Sequence, residues 1–318
     1  MATVEEEFGV ERGGLGLRRV LIGLGAVLGL IVLYFVGGAA WVHKIDDDPA
    51  FAAEMSVPEN ASRAVAVAAD LVDREVEVNR WVANDPFFQP GYLLDNMPAY
   101  QTGLVNAVGR FTTELRDRVA RVRGSSAVDP DLESAAGRLN YPGDVWIFEW
   151  SGTPVQPSSE SQYRRGVEDL RKYNQRLVQG QAVFERRADN LLATLDRISG
   201  DLGAASAAVT QEVDQGATHF LDLNADELFY SIKGKLYAYY LILRELEQDF
   251  AGVIRERNLQ ANWADLLTSL RLGATLYPWI VSNGPLDSMA TPNHLAAEGF
   301  LLLRVRTKLD EIIDILRT

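Results

Sequence analysis

Three patterns of hydrophobic and polar positions follow one another along this chain. The first is an unbroken apolar run, "VLIGLGAVLGLIVLYFVGGAAWV", with no charged residue from Val20 to Val42. As a helix it spans roughly 34 Å, enough for a hydrocarbon core of about 30 Å. The second pattern is the 3–4 spacing of amphipathic helices. Ala61, Val65, Ala68 and Val72 share one face of 61–79, and Tyr100, Leu104, Val108, Phe111, Leu115 and Val122 share one face of 98–123. Arg116, Arg118, Arg121 and Arg123 then fall where they complement the C-terminal end of that helix dipole. Phe229, Ile232, Leu236, Tyr239, Leu243, Leu246, Phe250 and Val253 continue the pattern unbroken, and Leu302, Val305, Leu309, Ile312 and Leu316 form the last stripe.

The third pattern repeats every seven residues. Leu170, Leu177, Phe184, Leu191, Ile198 and Ala205 mark one position of it, and Val167, Asn174, Gln181, Ala188, Leu195, Leu202 and Val209 mark its companion. This predicts a coiled-coil-like seam over 163–209, with polar interruptions at Asn174 and Gln181 and weak points at Gly180, Gly200 and Gly203. The segments 163–209 and 226–257 are expected to pair as antiparallel neighbours across a short connection. Helix starts are predicted at Asp129–Pro130, at the pair Asn224 and Glu227, and at Thr291–Pro292.

Two stretches fit none of these patterns. "WVANDPFFQPGYLLDNMP" (81–98) and "NYPGDVWIFEW" (140–150) are rich in proline and aromatic residues. Exposed rings on that scale invite association, so both segments are expected to fold back onto the bundle and lie near each other. In one reading Trp81, Phe87, Phe88, Tyr92, Tyr141, Trp146 and Trp150 seal an end of the core while Asp85, Asp95 and Asp144 cap turns or helix starts. In the other, the same residues form an interaction or ligand surface. The fold class is therefore all-α: an N-terminal transmembrane helix followed by a helical bundle with long coiled-coil-like helices and two aromatic-rich irregular segments. The corresponding divisions are a cytoplasmic tail (1–19), the anchor (20–42), a juxtamembrane linker (43–59) and a periplasmic helical domain (60–318).

Composition narrows the function. The chain has 318 residues, 47% of them hydrophobic, and no cysteine, which excludes disulfides, thiolate metal sites and cysteine nucleophiles. The first 44 residues balance in charge, so the whole formal net charge of −13 falls on the rest. Such a surface repels nucleic acid and anionic headgroups. Arg12, Arg18 and Arg19 precede the apolar run while "DDD" (46–48) follows it, which predicts a cytoplasmic N-terminus and an external domain. A cleaved signal peptide is the competing reading, since "GAA" before Trp41 resembles a cleavage site, but its apolar region would normally be shorter. Gly25 and Gly29 form a GxxxG pattern, readable either as general glycine tolerance or as a homodimer contact within the bilayer.

Few residues point to chemistry. His43, His219 and His294 are scattered, so a hydrolytic triad or multi-histidine metal site would require long-range convergence. "DLNADE" (222–227) starts like a calcium loop, but Glu227 replaces the turn glycine and Lys233 replaces the bidentate acid. The "DDD" run reads as a solvated juxtamembrane segment. No catalytic residue and no cofactor are expected.

The blocks "SRAVAVAADLVDREV", "WVANDPFFQPGYLLDNMP", "RGSSAVDPDLE", "YPGDVW" and "FERRADNLLATLDRI" together resemble a proteobacterial family known as domain of unknown function 2333, over nearly the whole chain from about residue 15. The resemblance implies an inner-membrane protein with one N-terminal span and implies no activity. The expectation is a non-enzymatic envelope scaffold or adaptor, anchored in lipid through 20–42 and working with other envelope proteins. The alternatives are a periplasmic ligand-binding or sensing module and, behind it, an envelope-polymer enzyme.

Overall fold

The computed structural model describes residues 11–53, 57–122, 128–148, 155–214, 223–278, 281 and 293–318. Among these residues every regular element is helical, and no strand occurs. The apolar run lies in α1 (Glu11–Val42), and the bundle begins at α2 (Arg63–Asp73). Ser62 caps α2, its hydroxyl oxygen accepting from the Val65 amide. The Asp249 carboxylate reinforces this cap from a distant part of the chain, accepting from the Ser62 hydroxyl (2.7 Å) and from the amides of Arg63 (3.0 Å) and Ala64 (3.1 Å). A π-helical turn, Arg74–Val78, follows directly, and Arg74, Glu75 and Val76 are buried in succession there.

The remaining helices are α3 (Asn96–Val122), α4 (Pro130–Leu139), α5 (Ser159–Val178), α6 (Ala188–Asp214), α7 (Leu223–Asp249), α8 (Ala251–Glu256), α9 (Gln260–Ala274) and α10 (His294–Arg317). The core is organised around α7. Eight consecutive residues, Leu236–Leu243, are buried, and a helix that is apolar on every side belongs at the centre of a bundle. It packs against α3, α2 and α9. Its closest approach is to α3, where Gly103 lies against the Ser231 carbonyl and Gly234 against the Tyr100 carbonyl. A Cβ at either glycine would occupy the other helix's backbone, so the crossing depends on both. On one side α5 rests on α2 and α4; on the other α10 rests on α6 and α9.

The 3–4 stripes are core faces. Every named member of the 226–257 and C-terminal stripes is buried, as are Ala61, Val65, Ala68, Val72 and the α3 set through Leu115. The side chain of Val122 lies outside the described residues. Asp129 caps α4 with Pro130 at its first position, accepting from the amides of Asp131 and Leu132.

Several expectations are corrected. The seven-residue repeat is not one seam: the chain breaks between α5 and α6, with Gly180 at φ +69°. Its two halves serve different neighbours, α5 facing α2 and α4 while α6 faces α10 and α3. The 163–209 and 226–257 segments are therefore not paired along their length. The tie between α6 and α7 is polar: the Tyr239 hydroxyl donates to Asp201 (2.8 Å), and Lys235 pairs with the same carboxylate at 2.9 Å. Asn224 lies inside the first turn of α7 rather than capping it. Arg116 and Arg118 engage the acids Asp117 and Glu114 instead of the end of α3, while the side chain of Arg121 and all of Arg123 lie outside the described residues. The last helix is capped by Asn293, whose side chain accepts from the Ala296 amide; Thr291 and Pro292 lie outside the described residues.

Candidate functional site

The two aromatic segments meet at the end of the bundle where α5 starts. Ser159 fixes one of them: its hydroxyl donates to the Pro142 carbonyl (2.8 Å) and accepts from the Val145 amide (3.0 Å). Asn84, on the other, donates to the Val145 carbonyl (2.8 Å) and to Glu160 (2.7 Å). Trp81 closes the junction from inside. It is 1% exposed, its indole N–H donates to the Gly143 carbonyl (2.8 Å), and its ring meets Tyr163 edge-on at 4.9 Å. The Tyr163 hydroxyl in turn donates to the Tyr141 carbonyl (2.8 Å).

Outside this seal the rings form a string. Phe87 meets Phe88 edge-on at 5.4 Å, Phe88 meets Trp146 at 5.6 Å, and Trp146 meets Phe148 at 5.3 Å. Phe87 is 69% exposed, Tyr92 60% and Phe148 56%. Together with Asp85, Asp144 and Pro98 they line an open concavity of about 980 Å³. The ten sequence candidates thus divide. Trp81 seals the core, Tyr141 is half-buried against it, and Asp95 accepts from the Asn96 amide (2.8 Å) at the start of α3. Asp85 sits under the loop, paired with Arg80 at 3.4 Å; burial pushes its carboxyl up while Arg80 and the Gly91 amide pull it back. Phe87, Phe88, Tyr92 and Trp146 form the outer surface, joined there by Phe148, with Asp144 at its rim. Trp150 lies outside the described residues.

The outer surface adjoins α1. The Tyr34 hydroxyl donates to the Phe88 carbonyl at 3.3 Å, and Gly38 lies against Pro90, which a Cβ at that position would meet at 2.5 Å. This junction carries no local sequence signal. Gly25 and Gly29, singled out by spacing, have open space around them.

The segment after α1 also departs from the solvated juxtamembrane run that its charge pattern predicts. The acidic run is no solvated tether but a strap across the bundle. The Tyr100 hydroxyl donates to the Asp46 carbonyl (2.7 Å) and the Tyr237 hydroxyl to the Asp48 carbonyl (2.7 Å). The buried Lys233 ammonium meets Asp47 at 2.6 Å and also donates to the Leu276 carbonyl. Arg244 donates to the carbonyls of Pro49 (2.9 Å) and Phe51 (2.6 Å). Arg74 gathers the strap to the interior: it donates to the Asp46 carbonyl (2.8 Å) and to Glu75 (2.9 Å) and lies over the Phe51 ring. Glu75 is fully buried, and burial pushes its carboxyl up against the opposing pull of Arg74, Gln101 and Asn79. Aspartates this close in sequence to an apolar helix read as solvated because their cationic partners lie far along the chain.

The family model for an uncharacterized protein conserved in bacteria (DUF2333) matches residues 56–221, just over half of the chain. The chain belongs to the DUF2333 family. No curated protein and no solved structure matches it. The DUF2333 match takes in α2 to α6 and both aromatic segments, and it is shorter than the reach from residue 15 suggested by the sequence blocks. Among the described residues no group of three or more His, Cys, Asp or Glu is arranged to hold a metal ion. His43 is exposed, burial lowers the pKa of His294, and His219 lies outside the described residues.

Proposed function

We propose that this DUF2333 chain is a single-pass protein of the bacterial inner membrane that holds a non-catalytic helical scaffold on the periplasmic face. The observation that carries this is α1 itself. Its segment Leu17–Val42 is 26 residues long, and its most apolar stretch has a mean hydropathy of 2.6 and lies outside the folded core. The unburied, uncharged run Val20–Val42 in water would be a large uncompensated cost, and a bilayer removes it. Retention of the segment is supported by its contacts, because cleavage before Trp41 would discard the Tyr34 and Gly38 junction with the loop. Arg12, Arg18 and Arg19 favour a cytoplasmic N-terminus.

A non-catalytic role is supported by the work the interior acids do. Glu75 ties the π-turn to Arg74, Asn79 and Gln101, and Asp249 caps α2. Partners would be other envelope proteins, or a second copy through the open face at Gly25 and Gly29. One observation favours the ligand-binding alternative, the concavity beside Asp85.

Because the chain has no cysteine, Thr318→Cys supplies one reporter thiol. A membrane-impermeant maleimide is expected to label it in spheroplasts. Labelling only after lysis overturns the orientation, and a mature N-terminus at Trp41 overturns the anchor. In-cell crosslinking followed by identification of co-purifying membrane proteins tests the scaffold role.

A further inference from the structure

The outer ring string touches α1 through Phe88 and lies next to the Gly38–Pro90 contact. The run from Val20, just after Arg18 and Arg19, reaches a thickness of about 30 Å near Ala39. Tyr34 then lies about 7 Å inside the outer boundary of the hydrocarbon, and Gly38 lies at that boundary. Phe88 and Pro90 touch α1 at these two positions, so the tip of the 81–98 segment stands at the depth of the outer leaflet. The exposed rings Phe87, Tyr92 and Phe148 surround that point, as does Trp41, which is 90% exposed.

The backbone of the tip is suited to that depth. A hydrocarbon or interfacial setting penalises unpaired amides. Pro86 and Pro90 have no N–H, the Gln89 amide donates to the Pro86 carbonyl (2.8 Å), and the Tyr92 and Leu94 amides close the short 3₁₀ turn Pro90–Leu93 by donating to Gln89 (3.2 Å) and Gly91 (3.0 Å). The Gly91 amide is taken by the Asp85 carboxylate beneath it. The one side-chain hydroxyl at this depth on α1, that of Tyr34, is satisfied by the Phe88 carbonyl. A loop that closes these hydrogen bonds within itself while turning its rings outward suits a medium poor in donors. Aromatic side chains with an apolar body and a polar end favour the headgroup boundary.

We infer that Phe87, Phe88, Tyr92 and Phe148 form a wedge seated in the outer leaflet of the bilayer that α1 crosses. The wedge rests on the anchor reading above and adds a second, monotopic contact to it. Its partner is lipid, through ring insertion rather than charge, since Asp144 rims the surface and the domain is acidic. With two contacts, a span and a wedge, the bundle is held in one orientation on the membrane.

The test uses the full chain reconstituted in vesicles of zwitterionic phospholipid, with single nitroxide labels at Leu28→Cys, Phe87→Cys, Phe148→Cys and Val178→Cys. Collisions with oxygen, enriched in lipid, are compared with those of a water-soluble nickel chelate. Val178 is the aqueous control, since it ends a 20-residue helix whose first residue holds the aromatic segments, about 30 Å away. Leu28 is the control within the span. The expectation is that labels at 87 and 148 show a severalfold lower nickel and higher oxygen collision rate than the label at 178. If 87 and 148 match 178 while 28 reports lipid, the anchor stands and the wedge is wrong. If 87 and 148 are shielded from both reagents, protein covers the rings and the wedge is wrong. If 28 itself reports water, the anchor reading fails and the wedge with it.

Discussion

Trp81→Ala probes the seal between the aromatic segments and the bundle. The indole is among the largest fully buried side chains, and three interactions end with it: its packing, the bond to Gly143 and the edge-on contact with Tyr163. Truncating a buried tryptophan costs about 3–5 kcal/mol. The indole hydrogen bond contributes about 1 kcal/mol and the ring pair about 0.5–1.5 kcal/mol, both largely contained in that range. The Gly143 carbonyl would also lose its donor beside a new cavity, so the expected cost lies at the upper end, about 4–5 kcal/mol. For a domain of this size that corresponds to a fall in melting temperature of about 8–15 °C. Trp81→Phe keeps most of the volume and is expected to cost only about 1–2 kcal/mol. Trp146→Ala, which removes a half-exposed ring, is expected to cost less than about 2 kcal/mol. The assay is thermal unfolding of the full chain in detergent, followed by helical circular dichroism. A melting temperature for Trp81→Ala within about 2 °C of the parent would refute the sealing role.

Two further predictions concern the bundle. Leu191 on α6 is fully buried, so Leu191→Asp is expected to destabilise by about 3–5 kcal/mol, whereas Asp196→Ala, which removes only an exposed pair with Arg317, is expected to change stability by less than about 1 kcal/mol. Equal melting temperatures for Leu191→Asp and the parent would exclude α6 from the core. Burial, with Asp95 and Glu227 nearby, pushes the Asp226 carboxyl up from 3.8 to about 6. Between those values the folded state binds more protons than the unfolded one, so this group's contribution to stability falls as pH rises from about 4 to 6 and is flat above. Asp226→Asn is expected to remove that fall and to raise stability at neutral pH; an unchanged slope would show that Asp226 does not titrate in this window.

What could be read from the sequence depended on how local its cause was. The stripe from Phe229 to Val253 is legible because one buried helix face repeats within a few residues. The seven-residue repeat over 163–209 was legible but misleading. A period constrains only which side chains are apolar, and the positive φ of Gly180 turns the chain before the repeat can become one helix. The meeting of the two aromatic segments followed from their shared excess of rings, yet the division of roles within them did not. Trp81 is inside and Phe87 outside because Ser159, Glu160 and Tyr163 fix the surroundings, and those residues look ordinary in sequence. The strap and the Gly38–Pro90 junction were illegible for the same reason: each joins residues dozens of positions apart, with no repeat to announce them.

The strap also sets how far the bundle can travel. A free tether over 43–59 would let the domain wander about 23 Å from the end of α1, as flexible chains of that length do. Bonds from Asp46, Asp47, Asp48 and Phe51 into the bundle remove that freedom. The domain cannot search for a partner at a distance, nor adjust its height to one of different size. On the scaffold reading proposed above, a partner would have to meet the bundle at one fixed level beyond α1, so the strap would act as a ruler that selects by height as well as by surface.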